Sequence, residues 1–287
     1  MHLRLLFQKN LLMKIFKKNQ KIYAKTKEVF GNPLMGYAPC AWNESVREDV
    51  TLLYMDITWA ELEPVEGKFA WNAIDAENQV ARWQAEGKHM VLRFVCDIPG
   101  NSRHMDIPRW LYEKTGHAGK WYDTAFGKGF SPDYSNEQFL VAHKKAVKAL
   151  GEHYGKSDLV SYVELGSLGH WGEWHVAYHI GIRRLPSRTV REQYVLPWLE
   201  AFPKAKHLMR RPFSIAKKQC MGLYNDMTGD ADATEKWISE ITHGGDYDQT
   251  NEKGELQSMP DFWNYAPSGG EFTSAVPMKK LLETELS

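Results

Sequence analysis

The stretch Val160–His175, VSYVELGSLGHWGEWH, runs from a strand into a glycine-punctuated loop rich in indole, imidazole and carboxylate groups. Val160, Tyr162 and Val163 suit a buried strand. Gly166, Gly169 and Gly172 let the backbone turn sharply or approach a ligand closely. Beyond them Glu173 stands between Trp171 and Trp174, and His175 follows. Flat apolar faces beside a carboxylate that can exchange a proton suit gripping a sugar ring and cleaving next to it. The plainer alternative makes both tryptophans core and Glu173 a helix cap. The whole cluster at the carboxyl end of one strand favours a site.

Outward from this stretch, apolar runs alternate with amphipathic segments. Val50–Trp59 reads as a first strand, nearly all apolar as a parallel strand buried on both faces should be. His89–Cys96 reads as a second, with Arg93 inside it, and a buried arginine must be paired or face a polar cleft. A helix is expected over Asp75–Gly87, and a short third strand within the long segment from Asp97 to Asp133. The aromatic content of that segment points to function, since long loops in compact domains are usually functional or disordered. Asn136–Tyr154 and Ser187–Phe202 read as helices, the latter despite Pro197. His207–Arg211 and Gly222–Met227 read as a fifth and a sixth strand, the sixth carrying Asn225 and Asp226. Trp237–Thr242 belongs to another helix. Phe262–Phe272 reads as a seventh strand ending in Gly269, Gly270 and Glu271, and a helix-like MKKLLETELS follows. Strands alternating with helices predict a parallel sheet with right-handed crossovers. The expected fold is a (β/α)8 TIM-type barrel, incomplete in that its last strand is not evident.

At 287 residues the chain suits one such barrel. Residues 30–287 form that domain, after a basic leader over 1–29 that is expected to be helical or disordered. The leader's apolar pieces are too interrupted for a membrane span and lack a small-residue cleavage site. A cytoplasmic location follows by default, or an extracellular one if the start codon is mis-assigned. Lys+Arg and Asp+Glu are both 36, and this balance argues against nucleic acid as a main partner. The 11 Trp and 13 Tyr are a high aromatic load, as core, interface or a carbohydrate cleft would require. Cys40, Cys96 and Cys220 form no paired framework. His170, His175 and Glu173 match no zinc spacing, so neither metal nor cofactor is expected.

The segment WAELEPVEGKFAW (Trp59–Trp71) resembles the first-strand signature of the clan of (β/α)8-barrel glycoside hydrolases that includes family 42 β-galactosidases. IPRWLYEKTG (Ile107–Gly116) is similar to a segment after that clan's second strand. NPLMGYAP, GSLGHWGEWH, RRPF, GLYNDM and APSGGEF together resemble a bacterial family catalogued as a domain of unknown function (number 4832), over about residues 30 to 285. The resemblance implies a retaining glycoside hydrolase acting on β-linked oligo- or polysaccharides through two glutamates. Strand order makes Glu173 the acid/base after the fourth strand and Glu271 the nucleophile at the seventh. The clan's acid/base usually follows an Asn directly, and here no Asn-Glu pair exists. Glu164, on the same strand, is the rival acid/base, or else a buried partner of Arg93 or Arg210. Trp59, Arg93, Trp171, Trp174, His175, Arg211, Asn225 and Asp226 are the expected substrate contacts. The alternative is a barrel that binds carbohydrate without hydrolysing it.

Overall fold

The computed structural model describes residues 33–274 and 276–285; the leader expected over 1–29 lies outside the described residues. Six parallel strands form one sheet: β1 (Leu52–Thr58), β2 (His89–Val95), β5 (Val160–Glu164), β6 (Lys206–Met209), β7 (Gly222–Thr228) and β8 (Ser268–Phe272), hydrogen-bonded in that order. The remaining two, β3 (Gly119–Thr124) and β4 (Gly127–Pro132), pair antiparallel with each other and stand outside the sheet. The third barrel strand expected between Asp97 and Asp133 is therefore absent there. Aromatic residues alternating across a four-residue turn close locally on themselves, with Trp121 opposite Phe130.

A further short segment restores the count. Cys40 makes a parallel bridge to Tyr54 on the outer edge of β1, where Ala41 N–H donates to the Tyr54 carbonyl at 2.7 Å and Tyr54 N–H to the Pro39 carbonyl at 2.8 Å. Counted as a strand, Pro39–Ala41 precedes β1, so β5 becomes the fourth strand and β8 the seventh.

The sheet curls upon itself. Six flat strands at about 4.8 Å spacing would hold the first and last roughly 24 Å apart. Yet the Tyr54 hydroxyl on β1 lies 3.5 Å from a Glu271 carboxylate oxygen on β8. Only a sheet bent most of the way into a cylinder brings those side chains together. This is an incomplete α/β barrel of the TIM type. Among the described residues the outer edge of β8 has no strand partner.

The period of two along each strand sorts side chains between two faces. Leu53, Met55 and Ile57 of β1 and Met90, Leu92 and Phe94 of β2 join the core between sheet and helices. Tyr54 and Arg93 occupy the alternate positions and meet inside the curl. Against the outer face lie the helices Glu137–Tyr154 and Arg188–Ala201, the first capped by the Asn136 side chain accepting from Gln138 and Phe139 N–H, the second containing Pro197. The single helix expected over Asp75–Gly87 is two, Trp71–Glu77 and Val80–Ala85, separated at Gln79, whose φ of 49° lies in the left-handed region. Another helix, Ala231–His243, follows β7. Cys40, Cys96 and Cys220 are free thiols. No helix of the described residues is long and apolar enough to cross a membrane.

Candidate active site

Arg93 is the hub. Its side chain is 4% exposed, and a guanidinium so buried must be surrounded by acceptors. Nη1 donates to the Tyr54 hydroxyl at 3.0 Å and makes an ion pair with Glu271. Nη2 lies 3.6 Å from a Glu173 oxygen and donates to the Tyr224 hydroxyl at 3.4 Å. Two carboxylates, one from the loop after β5 and one from the end of β8, thus converge on one cation.

Glu173 is carried by a strained loop. Trp171 and Trp174 hold φ values of 51° and 60°, a left-handed conformation that costs a non-glycine residue about 1–2 kcal/mol. Gly172 has φ +70°, and a Cβ there would sit 2.0 Å from the Gly166 carbonyl oxygen, so no other residue fits. The fully buried Asp97 holds the loop in place. Its carboxylate accepts from the Tyr122 hydroxyl at 2.5 Å and from His170 Nδ1 at 2.9 Å, and its carbonyl accepts from Trp171 N–H at 2.7 Å. His170 Nε2 accepts from Ala177 N–H at 3.0 Å, which fixes the tautomer and occupies both ring nitrogens. His170 is thereby a structural residue and no metal ligand.

On its far side Glu173 meets His175, whose Nε2 is 3.2 Å away, and Asp226. Burial alone would raise the Asp226 carboxyl, but Arg210, Arg211 and a hydrogen bond with Glu173 hold it below the usual carboxylate range. Glu173, His175 and Asp226 each present one atom within a 4.8 Å cluster, the arrangement a cation would need. The guanidiniums of Arg93 and Arg210 already face those two carboxylates and neutralise them.

Glu164 closes the inner end of the site. It pairs in register with Arg93, is 4% exposed, and accepts from the Tyr54 hydroxyl at 3.0 Å. Burial pushes its carboxyl up to about 7, with Glu271 adding to the rise and Arg93 opposing it. Burial likewise raises Glu271 against the pull of Arg93, helped by the neighbouring charges of Glu173 and Asp226. About a third of the Glu271 side chain nonetheless stays open to solvent.

The Glu164 shift fixes a sign for stability. Its contribution is fully present below the ordinary value of 4.5 and is lost as pH rises through about 7, where the folded chain must bury a charge. Glu164→Gln cannot ionise. Urea unfolding should therefore show it more stable than wild type at pH 8, by up to about 3 kcal/mol, with the advantage gone at pH 4.5. An advantage of equal size at both pH values would contradict the shift.

Several expected contacts lie elsewhere. Trp59 is fully buried, its indole N–H donating to Glu63 at 2.9 Å and its ring packed on Phe94 and Phe139. It opens the short helix Trp59–Leu62, which Thr58 and Glu61 cap reciprocally. Trp59 is therefore core and no substrate contact. Trp174 is 1% exposed, donates to the Leu165 carbonyl at 2.6 Å and packs against Phe213, so Glu173 has one indole at hand, that of Trp171. Asn225 is buried and binds Thr234 and Met227 N–H, a turn-closing role on the other face of β7. Arg211 is ion-paired with Glu240 and stands behind Asp226 without facing the cleft. Tyr54, Tyr224 and Arg210 belong to the site and were not among the expected contacts; all three are polar side chains inside or directly after apolar strand runs.

No family model matches the chain, and no curated protein matches. Among solved structures the chain is similar to endo-glycoceramidase II from Rhodococcus sp., at 12% identity and TM-score 0.47, over 84% of this chain and 73% of that one. It is also similar to xylanase XynB from Paenibacillus barcinonensis (14% identity, TM-score 0.41, 77% of this chain and 76% of that one). A β-galactosidase from the psychrophilic Marinomonas ef1 matches at 10% identity and TM-score 0.39, over 62% of this chain. The chain spans about a third of that β-galactosidase, 33%. Likeness at this level leaves the fold resting on the chain's own strand order and curl.

Proposed function

We propose that the chain is a retaining glycoside hydrolase domain, over residues 30–287, acting on β-linked sugars. The observation that carries this reading is the convergence of Glu173 and Glu271 on the Arg93 guanidinium. Retaining enzymes need two carboxyl groups about 5–5.5 Å apart, one a nucleophile and one an acid/base. With Pro39–Ala41 counted as a strand, Glu173 follows the fourth strand and Glu271 lies at the end of the seventh, the positions that the resemblance to the family 42 clan assigns to the two carboxylates.

Glu271 attacks the anomeric carbon. Arg93 orients it and opposes the burial that raises its carboxyl. Glu173 donates its proton to the departing oxygen and later takes one from the attacking water, while Asp226 and His175 hold its carboxyl. Trp171, beside His175 and met edge-on by Phe126 from the hairpin tip, offers a partly open aromatic face for a sugar. Glu164 is too deep to reach a glycosidic oxygen, which leaves the acid/base role to Glu173.

Aryl β-galactosides, glucosides, xylosides and mannosides incubated with the full chain test the reading, with the first-formed anomer followed by NMR. Turnover with retained configuration is expected for at least one. No turnover of any would favour the carbohydrate-binding barrel, while an inverted product would reject the nucleophile role of Glu271.

A further inference from the structure

Glu164 has no place in the reaction just described, yet it is built into the nucleophile's surroundings. The Tyr54 hydroxyl lies 3.0 Å from Glu164, 3.5 Å from Glu271 and 3.0 Å from its donor Arg93. A phenol has one hydrogen to donate and two lone pairs to accept with. Since Arg93 fills one lone pair, the single hydrogen can satisfy one of the two glutamates at a time. Gly269 passes beside this pair: a Cβ there would crowd Leu208 at 2.8 Å and stand in ordinary contact, 3.7 Å, with a Glu164 oxygen.

We propose that Glu164 is a positioning residue that sets the state of the nucleophile through Tyr54, by deciding which glutamate receives the Tyr54 hydroxyl hydrogen. This rests on the reading of Glu271 as nucleophile. With Glu164 ionised, it takes the hydrogen, as its shorter distance indicates, and Glu271 is held by Arg93 alone. With Glu164 protonated, it donates to the free lone pair of the Tyr54 oxygen, and the hydroxyl turns to Glu271. No proton leaves the set. One proton on Glu164 adds one hydrogen bond to Glu271, making it a poorer nucleophile and a better leaving group. The two half-reactions of a retaining enzyme need opposite settings of that balance, so a buried carboxyl that titrates near neutrality suits this position.

The groups facing Glu164 are Tyr54 from β1, Arg93 from β2, Tyr224 from β7, Glu271 from β8 and Glu173 from the loop after β5. Tyr54 and Tyr224 are pushed up by burial, so neither phenol ionises across the neutral range.

The full chain labelled with carboxyl-13C glutamate, its Glu271 resonance identified by Glu271→Gln, provides the test. The Glu271 signal should titrate in two steps, the upper one following Glu164. That upper step should vanish in Glu164→Gln and shrink at least about threefold in Tyr54→Phe. A single step in the wild type would overturn the proposal. An upper step undiminished in Tyr54→Phe would also overturn it, because the coupling would then be charge acting through Arg93. This readout needs no turnover. Coupled titration in a chain that hydrolyses nothing would uphold the relay and count against the hydrolase reading alone, whereas uncoupled titration in an active enzyme would sink the relay alone.

Discussion

Glu271→Ala should lower turnover of an aryl β-glycoside by at least about 10⁴-fold, a loss of about 5.5 kcal/mol of transition-state stabilisation, while sugar binding changes little. The side chain ends β8 with about a third of its surface open, its carboxylate fixed by Arg93. Alanine removes the carboxylate proposed to form the glycosyl–enzyme bond and leaves the loop carrying Glu173 intact, since that loop hangs from Asp97. Stopped assays with wild type and variant, together with calorimetric titration of the product sugar, separate the two effects. Turnover that survived would remove Glu271 from the nucleophile role.

Glu173→Ala should be selective. Substrates with poor leaving groups should lose about 10²–10⁴-fold, since they depend on protonation of the departing oxygen. Activated aryl glycosides need little protonation and should form the covalent intermediate at nearly the wild-type rate. Hydrolysis of that intermediate then lacks a base, and azide, which needs none, should restore turnover and give a glycosyl azide. Equal losses across all leaving groups, with no response to azide, would remove Glu173 from the acid/base role.

The fold was legible because the strands β1, β2 and β5 are largely apolar runs followed by chemically rich residues, as at the carboxyl face of a barrel. Arg93, Glu173, Asp226 and Glu271 stood out as charged groups at those positions, and the structure gathers all four. Tyr54 and Tyr224 did not stand out, because a tyrosine inside an apolar run looks like core. The period of two could have exposed Tyr54, which alternates with Leu53 and Met55 as Arg93 alternates with Leu92 and Phe94. Trp59 and Trp174 misled for the converse reason: an indole near a carboxylate suggests a sugar platform, but these two fill the core. The short Pro39–Ala41 strand was hidden by its length, being held by two backbone hydrogen bonds to Tyr54.

The β3–β4 hairpin shares no ladder with the sheet; it is moored by Gly100 bridging Lys128 and by Tyr122 on Asp97. Only its tip, with Phe126 79% exposed, overhangs the Trp171 side of the cleft. Changes in the tip can therefore reshape what the cleft admits without disturbing a barrel hydrogen bond or the Arg93 cluster. The hairpin is thus a module whose sequence can drift independently of the Arg93 cluster, and if that cluster is the proposed catalytic site, this one turn can alter which sugars reach it.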